Sequence, residues 1–295
     1  MNKEFRDILS NSYEEANIIL YGVPFDQNCS VSSGSNKAPD KLRELSWWLP
    51  PYSMDGEPLS HIKLFDCGDI PCRTFDDISL NANIFNDNKF KLLFGGDHSI
   101  SISFQKEFIK KAINNGKKPV IIHIDAHCDI CDTYLGSKNS HACTVRRALE
   151  NGLEEQNLFM IGIREFEKDG YEYLITRKNK VNLFQSSLIN EVGLDDFFEK
   201  IAQKRTDNYW IYVSFDIDSL DASYVPGTGT PETCGLTPFH IKKILKYLGS
   251  FPNVKCLDLV EIAPPLDVND ITSWCGIKLL YDFFSSMTFR NDYEH

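Results

Sequence analysis

The chain has 295 residues, of which 42% are hydrophobic and 25% are charged, and its formal net charge at pH 7 is −11. This composition is typical of a globular protein and argues against an intrinsically disordered chain. The negative charge argues against nonspecific nucleic-acid binding, which requires a basic surface. The nine cysteines are odd in number and scattered, so we expect reduced thiols rather than a disulfide scaffold.

The first residues of the sequence are charged and lack the apolar core of a signal peptide, and no apolar run reaches the ~18 residues that span a bilayer. We therefore expect a cytoplasmic protein without membrane contact. No linker rich in glycine, serine or proline divides the chain, and no internal repeat is visible. We expect a single domain over residues 1–295.

Short apolar runs alternate with amphipathic stretches along the chain. Eight runs predict strands, and most are continuously apolar, as expected for strands buried on both faces: 18–23, 62–65, 91–94, 120–124, 158–163, 181–184, 209–215 and 254–260. Five stretches predict helices: 99–115, 141–151, 188–204, 237–248 and 271–284. This alternation predicts an α/β fold with a mostly parallel sheet of about eight strands. The segment 28–58 predicts an irregular surface loop, or an aromatic wall around Trp47 and Trp48 at a substrate entrance or subunit contact.

Four of the predicted strands run directly into polar residues. The strands ending at 94, 124, 215 and 260 are followed, in that order, by the sequences GGDH, DAHCD, DID and E, which end at His98, Asp129, Asp218 and Glu261. In open α/β sheets, ligands bind outside the carboxyl ends of the strands. We therefore expect these side chains to meet at one edge of the sheet.

The run from Asp125 to Asp129 predicts a metal site. In an extended chain alternate side chains share one face, so Asp125, His127 and Asp129 are expected to converge while Cys128 points away. Close carboxylates repel each other unless a cation or a proton neutralises them. With the other strand ends, the candidate ligands are His98, Asp125, His127, Asp129, Asp216 and Asp218.

The donor set also indicates the kind and number of ions. Oxygen and imidazole ligands favour Mn, Mg or Fe over a thiolate zinc site. Four carboxylates would oversupply one divalent ion with negative charge, so we expect a two-metal cluster with a spacing of ~3.5–4 Å. Such a cluster lowers the pKa of bound water and makes hydroxide available near neutral pH.

Other interpretations stay open at this point. Cys128 and Cys131 form a C-x-x-C pattern typical of a redox or zinc site, although no second such pair is present. Asp216 and Asp218 also suit the nucleophile and acid of a phosphohydrolase. A catalytically inactive metal-binding oligomer is a third alternative. His123 lies inside a predicted strand, and we expect it to be buried or to support a ligand rather than to be one.

Four motifs occur in order along nearly the whole chain: GGDHS, DAHCD, SFDIDSLD with the following PGTGTP, and LVEIAPPLD. Together they resemble the ureohydrolase superfamily of arginases and agmatinases, and the GVPFD and DCGD segments are most similar to agmatinases. The resemblance implies a three-layer α/β/α fold and a cluster of two Mn²⁺ per subunit, with Ni²⁺ or Co²⁺ as alternatives. It also implies hydrolysis of a small guanidino substrate to urea and an amine by a homotrimer or homohexamer.

The resemblance implies a role for each candidate residue. Asp125 and Asp216 match the bridging carboxylates, and the two ions take in addition His98 with Asp129 and His127 with Asp218. Glu261 matches the carboxylate that holds the guanidinium group, and His141 matches the histidine that binds substrate and assists proton transfer. Asp129 is a second candidate proton donor. The family pattern usually has glycine after this histidine, whereas this chain has Ala142.

The substrate is indicated by a difference from arginases. These enzymes carry an asparagine after the DAHxD motif that contacts the substrate carboxylate, whereas Cys131 stands at that place here. This difference argues against arginine, and the similarity of the GVPFD and DCGD segments to agmatinases leads us to expect agmatine, cleaved to putrescine and urea as in polyamine biosynthesis. Guanidinobutyrate, guanidine, arginine and formiminoglutamate are the alternatives, and Arg146 and Arg164 are basic residues to which the motifs assign no role.

Overall fold

The computed structural model describes residues 5–177 and 180–289. The strands are β1 Ile18–Gly22, β2 Leu64–Asp69, β3 Phe90–Phe94, β4 Lys118–Ile124, β5 Leu158–Ile163, β6 Asn182–Gln185, β7 Tyr209–Asp216 and β8 Val254–Val260. They form one sheet in the order β2-β1-β3-β8-β7-β4-β5-β6, and every neighbouring pair is parallel. This confirms the predicted α/β class, and each predicted strand overlaps an observed one.

The helices are α1 Ala38–Ser46, α2 Phe75–Asn81, α3 Ile100–Asn114, α4 Thr144–Glu150, α5 Lys168–Thr176, α6 Ser186–Val192, α7 Asp195–Ala202, α8 Pro238–Gly249 and α9 Ile271–Ser285. The predicted helix 188–204 is in fact two helices, because the chain turns at Gly193, whose φ of 90° favours glycine. The start of α8 is set by Thr237, whose side chain accepts a hydrogen bond from the His240 N–H in a capping box.

The prediction of an irregular loop over 28–58 was wrong for α1. Pro39 lies in the first turn of this helix, where a missing N–H costs nothing, and Leu42 and Leu45 on one face are buried in the core. The helix escaped prediction because one short apolar face is a weak periodic signal. Trp48, just beyond the helix, is 70% exposed.

Two hydrophobic clusters cover the two faces of the sheet. Alternate residues of one strand enter opposite clusters, as Ile121 and Ile122 of β4 do. One cluster includes residues of α1, α6, α7, α8 and α9, and the other includes residues of α2, α3, α4 and α5. This arrangement confirms the three-layer α/β/α sandwich. None of the helices in the described part of the chain combines the length and apolar character needed to cross a membrane.

The sheet order explains how distant motifs meet. The strands that end in polar motifs, β3, β8, β7 and β4, are four consecutive neighbours in the middle of the sheet. Since all strands are parallel, their carboxyl ends lie at one edge. Gly96, just after β3, packs so closely against the carbonyl group of Phe25 that any side chain there would collide with it. The edge is therefore tightly packed beneath the candidate site.

Candidate metal centre

The residues that follow β4 form a turn rather than an extension of the strand. The His127 N–H donates to Asp125 Oδ1 at 2.6 Å, and Asp129 adopts a left-handed conformation with φ of 46°. The expectation that Asp125, His127 and Asp129 converge because of strand alternation was therefore wrong in its reason. The strand ends at Ile124, and the turn folds the three side chains toward the strand ends of β3 and β7.

One group of ligand atoms surrounds the imidazole of His98. Its Nδ1 lies 2.9 Å from Asp125 Oδ2, 3.0 Å from Asp216 Oδ2 and 3.3 Å from Asp129 Oδ2. All four residues are buried, yet His98 Nδ1 and Asp125 Oδ2 have no partner in hydrogen-bond geometry among the described residues. Buried polar atoms that converge without hydrogen bonds are what a metal ion would satisfy.

A second group surrounds His127. Its Nδ1 lies 3.1 Å from Asp218 Oδ2 and 3.4 Å from Asp125 Oδ1, and one ligand atom from each of the three residues falls within 4.8 Å of the others. Asp125 therefore presents one oxygen to each group, as a bridging ligand would. Asp216 presents Oδ2 to His98, while its Oδ1 accepts a hydrogen bond from the Asp218 N–H at 2.9 Å.

The hydrogen bonds of His98 suit it to bind a metal. The Ser214 hydroxyl donates to Asp258 Oδ1 at 2.8 Å, so its oxygen accepts from His98 Nε2 at 2.9 Å. Asp258 is held in turn by hydroxyl groups of Ser101 and Tyr212, each at 2.6 Å. Because Nε2 donates to Ser214, Nδ1 is the nitrogen left to face the carboxylates, as in a histidine that binds a metal through Nδ1.

The electrostatics of the cluster also call for cations. Burial and the charges of Asp218 and Asp125 raise the pKa of Asp216 well above its usual range. Burial and the charge of Asp125 raise the pKa of Asp129 to about 6. These two carboxylates therefore resist ionisation unless positive charge is brought among them. Geometry, hydrogen bonding and donor type therefore all fit a centre for two hard divalent cations.

The sequence analysis also made predictions for two residues near the cluster, His123 and Cys128. His123 is fully buried, its Nε2 lies 3.1 Å from Asp125 Oδ2, and its ring stacks on His98 with centroids 5.0 Å apart. It is thus buried beside a candidate ligand, as expected, although it is also close enough to His98 and Asp125 to complete a third possible ligand group. Cys128 packs within the second core cluster against Gly170, and burial raises its thiol pKa to about 12. This position does not suit a thiolate ligand.

Glu261 and His141 lie together beside the ligands. Glu261 has φ of 63°, and its Oε1 accepts from the His98 N–H at 2.7 Å and lies 3.3 Å from His141 Nδ1. His141 Nε2 lies 2.9 Å from the hydroxyl of Ser30. Burial lowers the pKa of His141, but the hydrogen bond and the charge of Glu261 outweigh burial and raise it to about 9. The structure therefore brings all the predicted site residues to one place.

Asp97, of the same GGDH motif as His98, was not among the predicted site residues. Its carboxylate is fully buried and accepts hydrogen bonds from the backbone N–H groups of Asn28 and Ser99 at 2.8 and 2.9 Å. Burial and the charge of Glu261 raise its pKa to about 7. Asp97 thus ties the segment before α1 to the edge of the site.

A cavity of about 210 Å³ opens beside His127, Asp129 and His141. Its lining also includes residues to which the sequence analysis assigned no role, namely Tyr134, Glu165, Glu167, Thr230 and Glu232. Glu165 and Glu167 follow β5, so the strand-end rule could have found them. Thr230 lies within the PGTGTP run and Glu232 follows it. The sequence does not indicate whether their side chains face the cavity. The cavity is acidic, and no lysine or arginine is among the described residues that line it.

Comparisons with known proteins agree with this geometry. The family model described as Arginase family matches residues 16–285. The chain is 34% identical to an agmatinase of Bacillus cereus over 279 residues, which cover 91% of each chain. It is 31% identical to a guanidinobutyrase of Pseudomonas aeruginosa over 271 residues, which cover 88% of this chain and 83% of the relative.

The same relationship is found among solved structures. The agmatine ureohydrolase of Thermoplasma volcanium superposes with a TM-score of 0.83 at 31% identity, covering 96% of this chain and 94% of the other. The similarity extends over nearly the whole chain and includes the strand ends that carry the cluster. The predicted resemblance is thus confirmed, and the chain belongs to the arginase family.

Proposed function

We propose that this protein hydrolyses agmatine to putrescine and urea at a centre of two Mn²⁺ ions. The observation that carries the substrate is the acidic cavity beside the cluster, where Glu165, Glu167 and Glu232 line the approach. Agmatine places an ammonium group at the far end of a four-carbon chain from its guanidinium. A cavity with several carboxylates favours such a cation and disfavours a substrate carboxylate.

Neither of the two unassigned arginines is available to bind a carboxylate. Arg164 directs its guanidinium to backbone carbonyl oxygens, with the shortest contacts at 2.8 Å to Asp218 and Thr233. Arg146 lies over the ring of Tyr173 at 4.7 Å and contacts Glu150 at 3.3 Å. Neither Arg146 nor Arg164 could therefore pair with the carboxylate of a substrate such as arginine, guanidinobutyrate or formiminoglutamate. Guanidinobutyrate stays the second candidate because of the guanidinobutyrase relative.

The metal ions would be held by the six predicted ligands, His98, Asp125, His127, Asp129, Asp216 and Asp218. When bound, two divalent ions lower the pKa of water so that hydroxide is available near neutral pH. Asp125 fits a bridge through its two oxygens, and His123 supports it from within β4. Ni²⁺ and Co²⁺ accept the same donors, so the native metal is part of the test.

The remaining residues bind the substrate and move a proton. Glu261 pairs with the guanidinium, and its Oε1 is oriented for this by the His98 N–H. His141, charged at neutral pH because of Glu261, holds a proton at the edge of the cavity. As the tetrahedral intermediate breaks down, His141 or Asp129 delivers a proton to the departing amine, since a neutral amine leaves more easily than its anion.

The proposal for the chain as a whole follows the family. The chain acts as one domain over residues 1–295, in the cytoplasm, as a homotrimer or homohexamer. Size-exclusion chromatography with light scattering distinguishes a trimer of 33.8 kDa chains from a hexamer.

A panel of matched substrates tests the function. The protein is reconstituted separately with Mn²⁺ and Ni²⁺, and the release of urea, ammonia and, for formiminoglutamate, formamide is measured. Agmatine, N-butylguanidine and guanidinobutyrate share a four-carbon tail that is cationic, neutral or anionic, and arginine, guanidine and formiminoglutamate complete the panel. We expect the highest kcat/KM for agmatine. A preference for guanidinobutyrate or arginine overturns the substrate, and a fully metallated protein that is inactive on every compound overturns the enzymatic function.

A further inference from the structure

Arg164, at the end of β5, donates hydrogen bonds to six backbone carbonyl groups. Nε donates to Thr233 at 2.8 Å, Nη1 donates to Gly162 and Ser219 at 3.2 Å each, and Nη2 contacts Asp218, Leu220 and Glu232 at 2.8, 3.1 and 3.1 Å. No carboxylate among the described residues forms an ion pair with it. All three guanidinium nitrogens are thus engaged by the backbone.

One of the six carbonyl groups, that of Gly162, belongs to β5 itself, and the other five belong to two further segments. One is the turn 218–220, which carries the candidate ligand Asp218. The other is the loop 221–236, which carries Thr230 and Glu232 to the cavity. The base of this loop is closed by backbone hydrogen bonds between Asp221 N–H and Leu236 O and between Leu236 N–H and Ser219 O, each at 3.0 Å. Arg164 contacts both segments at this base.

A side-chain contact joins the same two segments directly. The Thr230 hydroxyl donates to Asp218 Oδ2 at 3.3 Å, the oxygen that faces His127. The orientation of the ligand carboxylate is therefore coupled to the position of the loop, and the loop is held in turn by Arg164. A planar guanidinium can bind carbonyl groups on several sides at once, whereas a lysine ammonium is a single point of contact.

We infer that Arg164 is a positioning residue that fixes Asp218 and the Glu232 loop in one arrangement. Occupancy of the second ion, the one nearest His127, and preference for a cationic substrate tail then depend on the same guanidinium. The inference about substrate preference rests on the proposed agmatine hydrolysis, whereas the inference about occupancy of the second ion does not.

The test compares Arg164→Lys with Arg205→Lys. Arg205 is a matched control because its guanidinium donates to one carbonyl group, that of Ser250 at 2.9 Å. Arg205 precedes β7 and Ser250 precedes β8, so this contact lies at the amino ends of the strands, opposite the site. Mn²⁺ affinity is measured by calorimetry on chelator-treated protein, and kcat/KM is measured for agmatine and N-butylguanidine. For Arg164→Lys we expect about tenfold weaker binding of one ion and about tenfold lower preference for agmatine. The control should change neither.

The outcomes separate this inference from the proposed function. A lower melting temperature with both the ion affinity and the substrate preference unchanged would show that Arg164 is only structural, and would overturn the inference. If the native enzyme does not cleave agmatine, the proposed function fails while the calorimetry still decides the inference about the second ion. If Arg164→Lys does not fold, Thr230→Val removes the direct contact to Asp218, and unchanged affinity for both ions in that variant contradicts the coupling.

Discussion

The two carboxylate oxygens of Asp125 face two different imidazoles, with Oδ2 2.9 Å from His98 Nδ1 and Oδ1 3.4 Å from His127 Nδ1. One side chain therefore links the two halves of the site. Its backbone is fixed as well, because the Asp125 N–H donates to Ile161 O of β5 at 3.0 Å. A ligand shared in this way makes the two ions interdependent.

Because Asp125 faces both groups of ligand atoms, its substitution should release more metal ions than substitution of a residue that faces one group. Asp125→Asn should lose both ions on dialysis because it weakens both groups, whereas His98→Asn should lose one ion and keep the other. The number of metal ions per chain is measured by inductively coupled plasma mass spectrometry. Asp196→Asn, on the exposed face of α7, is the control and should keep both ions. Two retained ions in Asp125→Asn would contradict a bridging role.

Removing the metal should destabilise the folded protein. The buried carboxylates of Asp125, Asp129, Asp216 and Asp218 repel each other when no cation is present. Each ion that binds only the folded state and is present at 100 times its Kd adds about 2.7 kcal/mol, so a chelator should lower the melting temperature by roughly 5 °C or more. Mn²⁺ added back should restore it, and Ca²⁺ at equal concentration is the control. An unchanged melting temperature would contradict a filled cluster.

Much of this site follows from the sequence because it depends on local signals. Continuous apolar runs predict buried parallel strands, and parallel strands bring their carboxyl ends together. His98, Asp125 and Asp218 each follow such a run within a few residues, so their meeting does not depend on details of packing. The same rule places Glu261 after β8, at the same edge.

Other features depend on contacts between distant segments. Asp129 reaches His98 because the backbone turns after Asp125 and Asp129 itself adopts a left-handed conformation with φ of 46°. The alternation of side chains along a strand does not predict this turn. The direction of Glu232 depends on how its loop closes onto the turn after β7. The role of Arg164 is set by carbonyl groups from three parts of the chain, namely β5, the turn 218–220 and the loop 221–236. Every residue has a backbone carbonyl, so the sequence does not indicate which of them Arg164 contacts.

The charge of His141 predicts a pH dependence of stability in the metal-free protein. Its folded pKa of about 9 is above the usual value of about 6.5, so its pairing with Glu261 stabilises fully below pH ~6.5 and is lost as the pH rises through 9. His141→Asn keeps a donor near Nδ1 but cannot be charged. The melting temperature of the native protein minus that of the variant should therefore shrink between pH 6.5 and 9.5. A difference that grows over this range would contradict the pairing.

The C-x-x-C pair should be dispensable for chemistry. Burial raises the pKa of Cys128 to about 12, and burial together with Asp169 raises that of Cys131 further, so neither is a thiolate at neutral pH. The Cys128→Ala, Cys131→Ala variant should keep its metal content and kcat/KM while losing about 1–2 kcal/mol of stability through lost packing. Denaturant unfolding measures the second quantity. Loss of an ion at unchanged stability would restore the redox or zinc interpretation.

The acidic lining of the cavity should select the substrate by charge. Glu232→Gln keeps the shape of the side chain and removes a charge near the position expected for the ammonium group of agmatine. Because the side chain is partly exposed, solvent weakens the interaction, and we expect KM for agmatine to rise about fivefold. KM for N-butylguanidine should stay within twofold, since it has no cationic tail. Glu199→Gln, on the exposed surface of α7, is the control and should change neither value. Equal increases in KM for both substrates would mean that Glu232 shapes the cavity rather than recognising a charge.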